Sequence, residues 1–330
     1  MATTMAIYEA ENFVITEGMR NDPTVFIYSQ GHPQSRRALY EEFGQLRVNI
    51  SPISETAMTG AAVGAAVTGT RPICEHALSD FIMVAAEQFI NEAGRIRFKL
   101  GYKVDCPAIF RIGYGIKGGG LAVQHSNAYY NKFADTPGLA VVVPSMPADV
   151  VGLWRTALRG KDPVQIWNSS MIGGTRGPVP DGDYTIPFGQ GDVKREGSDL
   201  TIAGIGWTVH LALQAAEELS AQGISAEVWD PRTLRPFDRT GLLNSVEKTG
   251  ALLVADEEPK TFGTTGEFAM SIAEAMDPVP PMARVTLMDA CVAFAPPLES
   301  YVLPTKDKIV EAAKALLDRK GGGYSTGINK

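Results

Sequence analysis

Glu55 is the first residue whose type and position could do chemistry. It follows Ile53 and Ser54 and opens a segment rich in alanine and glycine that runs to Thr68. A carboxylate in the first turn of a helix is stabilised by the helix dipole, and that structural role is the commoner one. Because the segment behind Glu55 is almost purely apolar, we expect the carboxylate to lie in a low-dielectric place and to need a partner. Glu55 is therefore a candidate for proton chemistry.

His125 is the second candidate. It lies within 123–127, after a glycine-rich stretch at 115–120, and such stretches often mark a close approach of backbone to a ligand. The stretch matches neither the dinucleotide nor the phosphate-loop pattern, so it is weak support for a nucleotide site. A single histidine in a loop is more often structural than catalytic, and we interpret His76 and His210 in that way.

The first half of the chain alternates short apolar runs with helical patterns. A long helical pattern begins at Asp80, and the aromatic Phe81 near its start is of a kind that usually belongs to a core. The expected elements are strands at 24–28, 71–76, 107–112, 139–144 and 164–167, and helices at 51–68, 80–99 and 145–159.

The second half restarts the alternation after a segment at 170–190 that is rich in glycine, proline and aspartate. By composition, 295–299 is expected to be an extended surface segment. Alternating strands and helices predict parallel sheets with helices on both faces. We predict two α/β domains, at 1–175 and 193–330, joined by a linker at 176–192. The second domain has expected strands at 200–205, 226–229, 251–255 and 283–288, and helices at 209–222, 237–248, 266–276 and 306–319.

Composition narrows the function classes. The chain has 330 residues and a net charge of −7, which argues against nucleic acid as the main partner and against a polybasic membrane patch. The three cysteines are far apart and fit neither a metal site nor a redox pair, so we expect reduced thiols in a cytoplasmic protein. The first residues carry no apolar signal-peptide core, and no run of 18 apolar residues exists to span a membrane.

Six ordered segments together resemble one family over nearly the whole chain. They are 52–73, 79–98, 123–154, 197–207, 223–238 and 294–304. In these segments the sequence is similar to the β subunits of the thiamine-diphosphate-dependent first component of 2-oxo acid dehydrogenase complexes, of the pyruvate, branched-chain and acetoin types, which are relatives of transketolase. The resemblance implies a transketolase-type pyrimidine-binding domain followed by a transketolase C-terminal-like domain.

The resemblance implies roles for five residues. Glu55 matches the glutamate that hydrogen-bonds N1′ of the cofactor aminopyrimidine and so favours the tautomer that removes the thiazolium C2 proton. Phe81 matches the aromatic residue that stacks on the aminopyrimidine, and Ile53 is a further cofactor contact. His125 matches the histidine that faces the substrate, where Gln124 beside it is a candidate contact.

The resemblance also implies ions and partners. Backbone carbonyls of Ile109, Ala157, Gly160 and Asp162 match a structural site for a monovalent cation such as K⁺. The chain lacks the GDG motif that holds Mg²⁺ and the diphosphate in thiamine enzymes. An α-type subunit is therefore expected to supply both, in an α2β2 heterotetramer with active sites at the α/β interfaces. A dihydrolipoyl acyltransferase is a further expected partner.

Departures from the family bear on the substrate. Where relatives carry Gly-Glu-Asp after the first strand, this chain has 29–32 with His32 and no acid. His32 is thus a candidate substrate contact, and an exposed loop histidine is the alternative. Asp135 replaces a family histidine, and Asn168 stands where an acid is usual. These changes suggest a substrate outside central metabolism and weaken the case for a lipoyl acceptor.

We expect an enzyme subunit that cleaves a carbon–carbon bond next to a carbonyl, by 2-oxo acid decarboxylation or acetoin-type cleavage, and transfers the resulting unit. A split transketolase or an acyloin-type carboligase is an alternative enzyme. A non-catalytic scaffold or regulatory subunit is the alternative from another class, and the presence of Glu55, Phe81 and His125 together argues against it.

Overall fold

The computed structural model describes residues 2–30, 36–116 and 121–321. Within these residues the chain forms two compact units. The first contains the chain up to Gly189 together with Thr233–Pro236, and the second contains Gln190–Arg232 and the chain from Phe237 onward. Each unit is a mostly parallel sheet flanked by helices, so the predicted α/β fold class is confirmed.

The first unit is built on a seven-stranded sheet. Its strands are β2 (Val25–Ser29), β3 (Val48–Ile50), β4 (Arg71–His76), β5 (Ile109–Tyr114), β6 (Ala140–Val142), β7 (Val164–Ser169) and β12 (Thr233–Arg235). Their order is β12-β6-β7-β5-β4-β2-β3, and all pairs are parallel except β12 with β6. A separate antiparallel pair joins β1 (Ala2–Ala6) to β8 (Arg176–Pro180), which lies within the predicted linker.

Helices cover this sheet. They are α1 (Ile7–Asn21), α2 (Arg37–Phe43), α3 (Glu55–Val67), α4 (Gly94–Lys99), α5 (Asn131–Ala134) and α6 (Pro147–Arg159). Helix α1 packs against α6, and α3 packs against β4. The parallel arrangement gathers the carboxyl ends of β2, β4 and β5 at one edge of the sheet, where polar residues can converge on a ligand.

The long helix predicted over 80–99 is present, but it is not a single α-helix. It begins as a 3₁₀ turn at Phe81–Ala85, includes a π-helical stretch at Gln88–Ala93, and ends as α4. Part of the cause is tertiary. The hydroxyl of Thr56, on α3, donates to the carbonyl of Val84 at 2.9 Å, and such outside hydrogen bonds compete with the regular helical pattern.

The second unit has a five-stranded sheet. Its strands are β9 (Asp192–Arg195), β10 (Leu200–Gly204), β11 (Ala226–Asp230), β13 (Leu252–Pro259) and β14 (Met282–Leu287), in the order β14-β13-β10-β11-β9 with β9 antiparallel. Its helices are α7 (Trp207–Ser220), α8 (Arg239–Thr249), α9 (Thr265–Ala273), α10 (Pro296–Val302) and α11 (Lys306–Gly321). Helix α10 replaces the predicted extended segment at 295–299, because proline is favourable in the first turn of a helix.

Strand β13 carries three consecutive buried acids. Glu258 accepts hydrogen bonds from the backbone N–H of Thr264, at 2.8 Å, and from its hydroxyl, at 2.7 Å, just before α9 begins. Both carboxylate oxygens of Glu257 lack a hydrogen-bond donor among the residues described. Burial, and then the charge of Asp256, raises the pKa of Glu257 to about 8. Its carboxyl is therefore largely protonated at neutral pH.

Candidate active site

Glu55 is the first residue of α3, and Ser54 before it has extended backbone. Its side chain is buried, with 8% of the residue exposed, and makes no hydrogen bond or ion pair within the described ranges. A buried acid at the positive end of a helix, without a donor of its own, can accept a hydrogen bond from a ring N–H or share a proton with a ring nitrogen.

Hydrogen bonds that involve Thr59 and His76 hold the first turn of α3. The hydroxyl of Thr59 donates to the backbone carbonyl of Glu55 at 2.8 Å and lies 3.2 Å from Nε2 of His76. Since the threonine has one hydroxyl hydrogen, its oxygen must accept from Nε2–H, which leaves Nδ1 unprotonated. Burial lowers the pKa of His76 to about 4, so the imidazole is neutral at physiological pH. This geometry suits a structural role for His76.

Phe81 and His125 lie against each other. Their ring centroids are 5.2 Å apart and their planes are at 87°, an edge-to-face contact. Phe81 is 38% exposed, so part of its side chain is accessible to a ligand, and His125 is half-buried. The 3₁₀ turn that begins with Phe81 packs against α3, the helix of Glu55. The structure therefore gathers three predicted residues on adjoining segments.

Other predicted residues lie nearby or outside the description. Ile53 is exposed just before α3, and Gln124 is exposed in the short 3₁₀ turn at Ala122–Gln124. His32 lies outside the described residues. Two polar residues that the sequence analysis did not select, Asp80 and Asn127, hydrogen-bond to each other here. The feature of the sequence that could have indicated them is their position. Asp80 immediately precedes Phe81, and Asn127 lies two residues after His125.

Exposed apolar side chains surround the site. They come from the end of β3, the start of α3, the 3₁₀ turn after Asp80, and the His125 loop. We call this surface the apolar patch, and its members are Ile50, Ile53, Phe81, Met83, Val84 and Val123. Large apolar side chains gathered in this way usually mark a surface that a ligand or a partner covers.

The carbonyls expected to bind a monovalent cation already face a cationic group. One guanidinium nitrogen of Arg71 donates to the carbonyl of Gly160 at 2.9 Å and to that of Ala157 at 3.4 Å. The Asp162 carboxylate pairs with Arg97. Two of the four expected ligands thus point to a space where positive charge is favourable, and Arg71 occupies part of it.

Comparison with known proteins defines the class. Residues 3–171 match the family described as transketolase, pyrimidine binding domain, and residues 189–309 match transketolase, C-terminal domain. A solved structure described as "Split gene transketolase, inactive beta4 tetramer" shares the fold, with a TM-score of 0.79 at 23% identity over 96% of this chain and 99% of that one.

Sequence relatives narrow the class further. The chain is 38% identical over 328 residues to 2-oxoisovalerate dehydrogenase subunit beta of Bacillus subtilis (strain 168), covering 96% of this chain and 99% of that one. It is 38% identical over 337 residues to acetoin:2,6-dichlorophenolindophenol oxidoreductase subunit beta of the same strain, covering 96% and 98%. It is 36% identical over 327 residues to pyruvate dehydrogenase E1 component subunit beta-2, mitochondrial, of Oryza sativa subsp. japonica, covering 95% and 86%.

The chain belongs to the family of β subunits of thiamine-diphosphate-dependent 2-oxo acid dehydrogenases and acetoin oxidoreductases. The predicted family and enzyme class are therefore confirmed. No helix in the ranges that the structure describes is long and apolar enough to cross a membrane.

Proposed function

We propose that this chain activates thiamine diphosphate through Glu55 for cleavage of a carbon–carbon bond beside the carbonyl of a 2-oxo acid or an acetoin-type ketone. The observation that carries the proposal is the buried Glu55 carboxylate, which has no donor among the described residues. It lies on a helix that packs against the 3₁₀ turn of Phe81, whose ring contacts the His125 imidazole. The cofactor, when bound, supplies a nucleophilic thiazolium carbon and an electron sink for the cleavage. The residues present suit its aminopyrimidine, because Glu55 offers an open acceptor for a ring N–H.

Each residue has a distinct part in this proposal. Glu55 holds a proton at the ring nitrogen, Phe81 presents its exposed face for stacking, and Ile53 contacts the cofactor beside them. His125, which is half-buried, orients the substrate carbonyl or carboxylate and donates or accepts a proton there. Gln124 supports the proposal as an exposed amide beside His125.

We infer that His32 is a further substrate contact. The support is the family resemblance, which implies an acid in this part of the chain, whereas 29–32 has none. The residue at this point could therefore change which substrate is accepted. An exposed loop histidine without contact to substrate is the alternative. Replacing His32 with alanine should raise KM for the preferred substrate, with kcat less affected, and an unchanged KM would contradict the role.

An α-type subunit is the proposed partner, in an α2β2 heterotetramer in which that subunit holds Mg²⁺ and the diphosphate. The missing GDG motif supports this division, and so does the apolar patch around the site. The relatives are named as β subunits, which also implies an α partner. Calorimetric titration of the isolated chain with thiamine diphosphate and Mg²⁺ should show little binding, and tight binding would overturn the divided site.

We propose that K⁺ binds beside the carbonyls of Ala157 and Gly160, with Ile109 and Asp162 as further ligands. The support is the orientation of the first two carbonyls toward the guanidinium of Arg71. The ion would have to displace this guanidinium or share the carbonyls with it. Potassium chloride should then raise the melting temperature more than choline chloride at equal ionic strength, and equal effects would contradict the site.

Two further proposals concern the setting of the protein. We infer a reducing compartment such as the cytoplasm, supported by three cysteines without a disulfide, of which Cys291 is exposed. A dihydrolipoyl acyltransferase is the proposed acceptor partner if the product is an acyl group, by analogy with the 2-oxo acid dehydrogenase relatives.

The deciding experiment is co-purification of this chain with its α-type partner, followed by two assays on one preparation. Carbon dioxide release from 2-oxo acids, or aldehyde release from acetoin, is expected. Ketol transfer between sugars without either release would favour the split transketolase, the alternative enzyme whose fold this chain shares. Absence of turnover with every substrate class would favour a scaffold subunit.

A further inference from the structure

Asp80 and Asn127 form a contact between the two segments that carry Phe81 and His125. We propose that this pair, the Asp80–Asn127 clamp, consists of positioning residues that hold the His125 imidazole edge-on to Phe81 in the geometry that substrate cleavage requires. The inference rests on the proposed function, because it assigns the clamp to the same site. Neither residue touches the reacting atoms in this account.

Asn127 is the centre of the clamp. Its side-chain nitrogen donates to the Asp80 carboxylate and, at 2.6 Å, to the backbone carbonyl of Val123. Because both partners are acceptors, only the NH₂ end of the amide satisfies them, and an isosteric aspartate would not. The backbone N–H of Asn127 reaches the other Asp80 oxygen at 3.4 Å. One carboxylate therefore fixes both the side chain and the backbone of Asn127.

The same residue is also held through its carbonyl. That oxygen accepts from the hydroxyl of Ser79 and, at 3.1 Å, from the backbone N–H of Gly115 at the end of β5. Asn127 thus connects the loop of His125 to β5, to the segment before Phe81, and to its own beginning at Val123. This many directed contacts leave the loop little freedom to move without breaking several hydrogen bonds.

The two clamp residues are close in sequence to the two rings. Asp80 immediately precedes Phe81, and Asn127 is two residues after His125. A change of clamp length therefore moves one ring relative to the other, away from their 5.2 Å contact. Burial raises the pKa of the Asp80 carboxyl, whereas its hydrogen bonds from Asn127 and then the charge of His125 lower it.

The test uses the complex reconstituted with the α-type partner. Asp80→Ala and Asn127→Ala should each lower kcat by about 100-fold with a smaller change in KM, since displacement of a reacting group by about 1 Å can cost that much. Asp80→Asn keeps an acceptor for the Asn127 amide and should retain activity within about threefold of wild type. If one alanine variant fails to fold, the other removes the same contact.

Asp238→Ala is the matched control. Asp238 is half-buried, and its carboxylate accepts from the backbone N–H groups of Gly191 and Gly241, each at 2.8 Å, in the second unit. Its loss should lower the melting temperature without lowering kcat. This control separates a loss of stability from a loss of positioning.

A second readout does not depend on turnover. Carbethoxylation of histidines in the full isolated chain, mapped by mass spectrometry, should proceed several-fold faster at His125 in both alanine variants than in wild type or in Asp80→Asn. Modification of His210, on α7, should be the same in all of them. Unchanged His125 reactivity together with kcat within threefold of wild type would overturn the clamp. If the wild-type complex itself does not cleave its substrates, the proposed function fails instead, and the reactivity of His125 still reports on the clamp geometry.

Discussion

Glu257→Gln should make the protein more stable at alkaline pH. The carboxyl of Glu257 is buried, lacks a donor among the described residues, and has a pKa raised from 4.5 to about 8. The folded chain therefore keeps a proton there that the unfolded chain releases near pH 4.5. Since the folded state binds more protons between these values, stability falls as pH rises through this range. Glutamine keeps the shape and has no proton to lose.

The size of the effect follows from the pKa difference. Each unit corresponds to about 1.4 kcal/mol, so ionisation of Glu257 should lower the unfolding free energy by about 3 kcal/mol at pH 7 and by about 5 kcal/mol at pH 9. Near pH 5, wild type and Glu257→Gln should have nearly equal stabilities, because the penalty is then below about 1 kcal/mol. The difference between the two proteins should therefore grow from pH 5 to about pH 8 and then level off.

Urea unfolding followed by tryptophan fluorescence measures this, because Trp207 and Trp229 both lie in the second unit with Glu257. The matched control is Glu217→Gln on α7, where the carboxylate is exposed and its loss should leave the pH dependence unchanged. A constant difference between wild type and Glu257→Gln from pH 5 to 9 would refute the reasoning. It would mean that the Glu257 carboxyl ionises as readily in the folded chain as in the unfolded chain.

Three further variants test other parts of the molecule. In wild type, the free energy of unfolding should fall by about 3 kcal/mol between pH 6.5 and pH 4, because the folded chain resists protonation of His76, whose pKa is about 4. His76→Phe should not show this fall. Urea unfolding across that range would count against this if both proteins lost stability equally. Val84→Asp should weaken binding to the α-type partner at least tenfold, since an unpaired charge in an apolar contact costs several kcal/mol. Calorimetry would measure this affinity, with Val279→Asp as the control. Equal binding by the two variants would contradict the interface. Arg36→Met should lower the unfolding free energy by about 3–5 kcal/mol, because it leaves the buried carboxylate of Glu75 without its guanidinium partner. A change below about 1 kcal/mol in urea unfolding would show that the ion pair contributes little to stability.

Local patterns predicted the regular parts of the fold. The apolar run at 200–205 and the helical pattern at 237–248 marked elements that the structure contains at nearly the expected positions, as β10 and α8. Gly250, just after α8, has the left-handed backbone of a helix end. Glu55 was expected to open a helix, and it is the first residue of α3. These features depend on neighbours in sequence, so periodicity and capping are sufficient to find them.

Non-local contacts account for what the sequence analysis missed. Helix α1 was not predicted, and it is fixed in part by an ion pair between Glu11 and Arg111, which lie 100 residues apart. The close packing at Gly94, where a Cβ atom would approach Thr136 to 2.8 Å, was not predicted either. Such contacts leave no periodic signal.

In the candidate site too, some residues were predicted from the sequence and others were found only in the structure. Resemblance to the family selected Glu55, Phe81 and His125, but the Asp80–Asn127 contact spans 47 residues and became visible only in the structure. Neither residue type has a pattern that marks it, because aspartate and asparagine are common in loops. The substrate contact at His32 stays a prediction.

The most direct test of the central claim is Glu55→Gln in the reconstituted α2β2 complex. The change keeps the size of the side chain and removes its ability to hold a proton at the cofactor ring. Turnover of the preferred 2-oxo acid or ketone should fall by at least about 100-fold, the usual scale of acid–base catalysis, while the melting temperature and the affinity for the α-type partner stay as in wild type. Unchanged turnover would contradict the assignment of cofactor activation to Glu55 and favour a scaffold role for this chain.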